Sequence, residues 1–208
     1  MRSSLTENRD ASSEMVTVHV TDAVQQKKTF IIHKDFVTHH SSFFKAAFSG
    51  SWTEASTQTM EFDAPSCDSF AIFVDWVYSR QIEDGEGALP SAKELVNLWV
   101  LADSILVPGL QNKAMEAINE HAANHADLPA DFFVHLYECT TPESKLRALF
   151  VDMAVAFPNS ITKPRKLPYE MLVDIVKRNA ESHCRQPTRF SKDKMSKYFV
   201  DEDIPEKR

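Results

Sequence analysis

His121 and His125 stand four residues apart with Glu120 beside the first, the spacing by which one face of a helix offers two imidazoles to a metal ion. A zinc site needs one or two further ligands, and the neighbouring sequence supplies none at a recognisable spacing. His39 and His40 are adjacent and would diverge around a helix. Ser66-Cys67-Asp68-Ser69 brings a thiol and a carboxylate together with two hydroxyls. No G-x-S-x-G or glycine-lined elbow surrounds it, and Ser and Asp there serve to satisfy the open amides of a helix start. Asp201 and Asp203 are paired carboxylates in a polar segment, where no apolar pocket would raise a pKa for acid catalysis. The polar groups thus point to no catalytic residue, no cofactor-binding residue and no metal site.

Composition narrows the classes further. Only four glycines occur in 208 residues, two of them in "DGEG", so a glycine-rich phosphate loop is not available. The net charge of -7 argues against nucleic acid as the partner, because neutralising phosphates takes a concentrated basic surface. The basic runs "KPRK" (163 to 166) and "VKR" (176 to 178) are local, and acidic residues such as "DED" interleave with the last ones. Cys67, Cys139 and Cys184 are isolated, odd in number and without C-x-x-C spacing, which supports neither a disulfide framework nor a cysteine metal site. "MRSSLTENRDASSE" has no apolar stretch to act as a signal peptide, and no window nears the roughly 20 apolar residues that cross a bilayer. The expectation is an intracellular protein of cytoplasm or nucleus, with no membrane partner.

Several elements would have to position these groups. Residues 1–14 read as a flexible polar lead. "MVTVHV" (15 to 20) alternates as a strand does, "KTFIIH" (28 to 33) is a second strand, and "TDAVQQK" between them makes a hairpin turn. Phe36, Val37, His40, Phe43, Phe44, Ala47 and Phe48 then recur at three and four, describing two short helices broken near "HHSS". Ser41 or Ser42 can cap the second, and Gly50 ends it. "TQTMEF" (57 to 62) is a third strand, after which Pro65 and Ser66 open a helix striped by Phe70, Phe73, Val74 and Val77. "SRQIEDGEGALP" holds a short strand and a loop. Ser91 and Glu94 form a capping box ahead of a helix with Leu95, Leu98, Trp99, Ala102, Ile105 and Leu106 inward. Val107, Pro108 and Gly109 break it, and another helix follows.

The character then becomes purely helical. "LPADFFVHLYEC" is one helix, "TPESKLRALFVDMAVAF" a second with Thr141 as N-cap and Pro142 at its first position, and "LPYEMLVDIVKRNAES" a third. Residues 184–208 read as a polar, mobile tail, within which "KYFVDEDI" has the apolar content to dock. The order of elements describes an α+β domain over 15–125, with a helical extension over 126–183.

The crowded stretch "FIIHKDFVTHHSSFFKAAFSGSWTEAS" resembles the core signature of the BTB/POZ domain. In that family an F-x-x-H-K ending a strand leads to a helix, a Ser, an aromatic pair and then F-x-x-x-x-x-E-S. The positions here are Phe30, His33, Lys34, Ser41, Phe43, Phe44, Phe48 and Glu54. The likeness continues in "FAIFVDWVYSRQI" and "ELVNLWVLADSILVPGLQNKA", covering roughly 15 to 122. Ser42 stands where the family usually has Pro, and Glu14 where an Asp commonly precedes the first strand. The arrangement is similar to that of short stand-alone BTB proteins of filamentous fungi.

The resemblance implies a small sheet of short strands flanked by a cluster of helices, and a non-catalytic protein-protein interaction module. Many members form homodimers, and many dock on the cullin scaffold of a ubiquitin ligase through a hydrophobic-x-Glu motif. Trp52, Thr53 and Glu54 match that motif. The alternatives are a substrate adaptor of a cullin-based ligase and a homo-oligomerising or transcription-related scaffold with no part in ubiquitination. Trp52 is either an exposed anchor or a ring folded back over its loop. Phe30, Phe44, Phe48, Phe70, Phe73 and Trp76 read as core, and His33 as a structural histidine bonded to backbone.

Overall fold

The computed structural model describes residues 14–83, 87–124, 130–156, 166–181 and 195–200. His125, Cys184, Asp201, Asp203, the polar lead and most of the tail lie outside them, so the expectations placed there have no structural counterpart.

Alternation sets the sheet. In β1 (Met15–Asp22), Val16, Val18 and Val20 turn inward and are fully or almost fully buried, as a period of two requires. β2 (Lys27–His33) pairs antiparallel with β1, and β3 (Thr59–Ala64) pairs parallel on its other side, in the order β2-β1-β3. The hairpin turn is closed by Asp22, whose Oδ1 accepts the amides of Val24 and Gln26 at 3.0 and 2.8 Å. Its Oδ2 takes the amide of Cys67 at 3.4 Å, tying the turn to the start of the main helix. The third strand begins two residues later than its composition suggests, because Thr57 closes a short helix and Gln58 turns left-handed (φ 52°).

α1 (Lys34–His40) and α2 (Ser42–Ser49) follow the sheet. The break between them is Ser41, fully buried, whose Oγ accepts the Phe44 amide at 3.1 Å and donates to the Ile105 carbonyl at 2.6 Å. One hydroxyl thereby caps α2 and binds it to a helix end distant in sequence. α3 (Thr53–Thr57) precedes β3, and α4 (Cys67–Ser79) is capped by Ser66, whose Oγ accepts the Ser69 amide at 2.9 Å. α5 (Ala92–Ser104) starts on Ser91, whose Oγ accepts the Glu94 amide at 3.2 Å. Glu94 does not complete a reciprocal capping box. Its carboxylate instead accepts from Ser66 Oγ at 2.7 Å and Asn97 Nδ2 at 3.1 Å, bridging two helix starts.

Four expectations are corrected. Residues 80–83 form no strand; Arg80 adopts φ 65° to end α4, which turns the chain away from the sheet. Leu106 does not face the core but is 47% exposed, because it takes φ 56° in the turn joining α5 to α6 (Pro108–Asn124). Pro108 and Gly109 open α6, the position where a missing amide costs nothing. After α7 (Ala130–Cys139), α8 (Lys145–Ala156) begins later than expected: Thr141 and Pro142 lie in a turn, and Ser144 accepts the Leu146 amide at 3.2 Å.

The core is continuous from sheet to extension. Phe44, Phe48, Phe70 and Phe73 form its aromatic centre between β3, α2 and α4, while Phe132, Leu136, Leu149 and Phe150 join the same cluster from α7 and α8. α9 (Tyr169–Glu181) seats Met171 against it. Residues 195–200, including the 3₁₀ turn Ser196–Tyr198, also dock. Tyr198 is 2% exposed and donates to Asp152 Oδ2, and Val200 exchanges two bonds with the Asn112 side chain at 2.9 and 3.2 Å.

Candidate functional site

Between α2 and β3 the chain builds a stub that lifts one tryptophan into solvent. Gly50 is required at the end of α2, since a Cβ there would lie 2.5 Å from the Ala46 carbonyl oxygen and 3.3 Å from Trp52 Cδ1. Trp52 is extended (ψ 163°), and its carbonyl accepts the Ala55 amide at 3.1 Å to begin α3. Gln58 closes α3 by donating its amide to the Glu54 carbonyl at 2.8 Å, and its Nε2 reaches the Phe48 carbonyl at 3.4 Å. Ser56 and Thr57 donate to the Thr53 carbonyl at 2.8 and 3.1 Å. Side-chain bonds thus stiffen a helix too short to persist unaided.

On this stub Trp52 is 67% exposed and Thr53 is exposed, while Glu54 is half-buried and makes no ion pair among the described residues. The indole is therefore not folded back over its loop. The stub thus sets an exposed aromatic two residues before a carboxylate that has no ion pair among the described residues.

A second surface lies where α1 and α2 face the ends of α4 and α5. It is an open groove of about 870 Å³ lined by residues including His39, His40, Lys45, Arg80 and Lys113. The Arg80 guanidinium stands 4.5 Å from the Trp76 ring centroid and against the His40 ring. Burial, then the charges of Arg80 and His39, holds His40 down to about 4. Between about 6.5 and 4 the unfolded chain therefore takes up a proton that the folded chain refuses, so this contribution to stability is lost as pH falls through that window. We expect His40→Gln to flatten the decline of Tm with pH across it, as read by melting curves of both proteins; identical pH slopes would show that His40 titrates normally.

The remaining chemical candidates resolve into fold. Ser66 caps α4, and the Ser69 hydroxyl donates back to the Ser66 carbonyl at 2.8 Å. Burial, followed by the charge of Asp22, raises the buried Cys67 thiol above its ordinary range, and burial with the charge of Glu138 does the same for Cys139, so neither is an activated nucleophile. His33 bonds to a hydroxyl rather than to backbone: its Nδ1 lies 3.0 Å from Tyr78 Oη, which also accepts the His33 amide at 3.0 Å. Phe36 and Tyr78 lie beside it with ring centroids 5.0 Å apart and planes tilted by 43°, each nearly half exposed. Among the described residues no group of three or more His, Cys, Asp or Glu is placed to hold a metal ion, and no helix is long and apolar enough to cross a membrane.

The BTB/POZ domain family model matches residues 9–122, more than half of the chain. The chain belongs to the BTB/POZ domain family. No curated protein matches it. The matched region of this BTB/POZ protein holds the sheet and α1 to α6 nearly whole, and it makes the chain a protein-protein interaction module. Its family-like residues have structural tasks: Phe30 lies 4.9 Å from Phe70, Ser41 is the double tether, and Lys34 reaches Glu14 at 3.2 Å. The pairing of Arg80 with His40 was not visible in the sequence, because the two are brought together only where α4 crosses α1.

Proposed function

We propose that this BTB/POZ protein is a substrate adaptor that docks on the cullin scaffold of a ubiquitin ligase through Trp52, Thr53 and Glu54. The observation that carries this reading is the 67% exposure of Trp52 on a braced stub beside the unpaired Glu54. Burying the indole would supply the apolar anchor, and the carboxylate would fix register. Residues 15–125 would then be the docking unit, with the target engaged by the helices beyond it. Ubiquitination being intracellular chemistry, this reading places the protein in cytoplasm or nucleus.

The test is a titration against the amino-terminal domain of a cullin. Trp52→Ala/Glu54→Ala should weaken saturable binding by roughly 1000-fold, since two central anchors are each worth about 2 kcal/mol. Absence of saturable binding by the parent protein would overturn the adaptor reading.

A homo-oligomerising scaffold is favoured by a different observation, the exposure of Ile31 (64%), Phe36 (45%) and Tyr78 (44%) on β2, α1 and α4. Such a scaffold would self-associate without binding the cullin domain; Trp52→Ala/Glu54→Ala should leave self-association unchanged on either reading, so loss of cullin binding in that variant separates the two.

A further inference from the structure

α9 carries apolar residues on two sides. Inward, Met171 is fully buried and Ile175 packs against the core. The polar groups on that side are committed: Asp174 Oδ2 accepts from Tyr137 Oη at 3.1 Å, and Arg178 Nε meets Asp152 Oδ1 at 3.1 Å. Outward, where solvent ordinarily selects charge, stand Tyr169, Leu172 and Val176, 76%, 36% and 69% exposed. Their spacing of three and four makes one stripe, continued by exposed Ala180. Scattered surface apolar residues need no explanation, but a contiguous stripe on one helix does.

The flank of the stripe indicates what covers it. Glu170 and Lys177 are both exposed and neither makes an ion pair among the described residues. Seven residues apart, they lie on the same side of the stripe, two turns or roughly 10.5 Å from one another. A two-fold axis perpendicular to the helix near Val173 reverses a second α9 along the first while keeping each flank on its own side. Glu170 of one copy then faces Lys177 of the other, twice, over a closed seam of Tyr169, Leu172 and Val176. A parallel two-fold pair would instead carry the two flanks to opposite sides of the seam, where Glu170 and Lys177 would meet neither each other nor their own counterparts.

We infer that α9 is a self-association surface, and that its partner is a second copy of this chain packed antiparallel about a two-fold axis. The contact is small and adds one weak association step, separate from the Trp52 surface and from the exposed aromatic cluster of Phe36 and Tyr78.

Sedimentation equilibrium of the full chain over a concentration series tests it. Leu172→Asp/Val176→Asp should remove one association step. Glu170→Lys and Lys177→Glu should each weaken that step by roughly tenfold, by exchanging two attractive pairs for two repulsive ones, and the double swap Glu170→Lys/Lys177→Glu should restore it to within about twofold. All four side chains are exposed, so circular dichroism melting should be near that of the parent. Single reversals with unchanged association, or Leu172→Asp/Val176→Asp with the parent's full set of species, would overturn the proposal whatever the outcome of the cullin titration.

Discussion

Phe44→Ala should lower the free energy of unfolding by about 3 to 5 kcal/mol, among the largest losses a single core truncation causes. The ring has no solvent exposure and is met on nearly every side by other rings. Phe48 and Phe73 stack with it at 5.9 Å, Phe70 meets it edge-on at 6.4 Å, and Phe62 of β3 lies 6.2 Å away. Deleting it removes its own burial and the ring that joins α2, β3 and α4 at one point, and the rigid rings around the void cannot collapse into it. Urea unfolding gives the number. A midpoint indistinguishable from the parent would mean that the ring is exposed and that α2 is rotated.

Arg147→Ala should cost about 3 kcal/mol, although the residue sits in a run that reads as an ordinary amphipathic helix. Arg147 is 8% exposed and forms no ion pair with a carboxylate among the described residues. Its guanidinium donates to the carbonyls of Tyr137 and Thr140 and, from Nε, to Thr140 Oγ1 at 2.9 Å, while lying 4.2 Å from the Tyr137 ring centroid. It therefore caps the carboxyl end of α7 from the first turn of α8, satisfying carbonyls that the helix leaves open. Removing it strands those acceptors and forfeits a desolvated cation-π contact. Arg147→Lys should recover less than half of the loss, since an ammonium cannot reach three acceptors in a plane. The same unfolding measurement decides, and a loss below about 0.5 kcal/mol for Arg147→Ala would show the cap to be dispensable.

These two residues mark what sequence periodicity can and cannot reveal. Phe44 falls within a three-and-four repeat of apolar residues, and periodicity alone places it in a core. The helices from α4 onward were legible for the same reason, with their caps at Ser66 and Ser91. Periodicity gives a face but not the partner across a gap, so nothing in the sequence sets Arg147 apart from a surface cation, and the Ser41 bond to Ile105 could not be seen across 64 positions. The expected strand that does not form after α4 and the misplaced start of α8 share a cause. Arg80 and Leu106 take left-handed conformations without being glycine, and Ser144 rather than Thr141 caps, because tertiary contacts outvote local preference there. The Trp52 motif was legible as residues; the exposure of its indole was not, since it depends on Gly50 keeping the loop close to α2.

The docked segment 195–200 joins residues 88 positions apart where Val200 meets Asn112. During synthesis α6 leaves the ribosome long before that segment does, so the sheet and its helices can condense before Val200 reaches Asn112 and Tyr198 reaches Asp152. The segment then closes onto a surface already formed. Interactions made after the rate-limiting step of folding do not speed it, but they must be broken before the rest can come apart. The Tyr198 and Val200 contacts therefore act chiefly on the lifetime of the native state, as a brake on unfolding rather than a guide to folding.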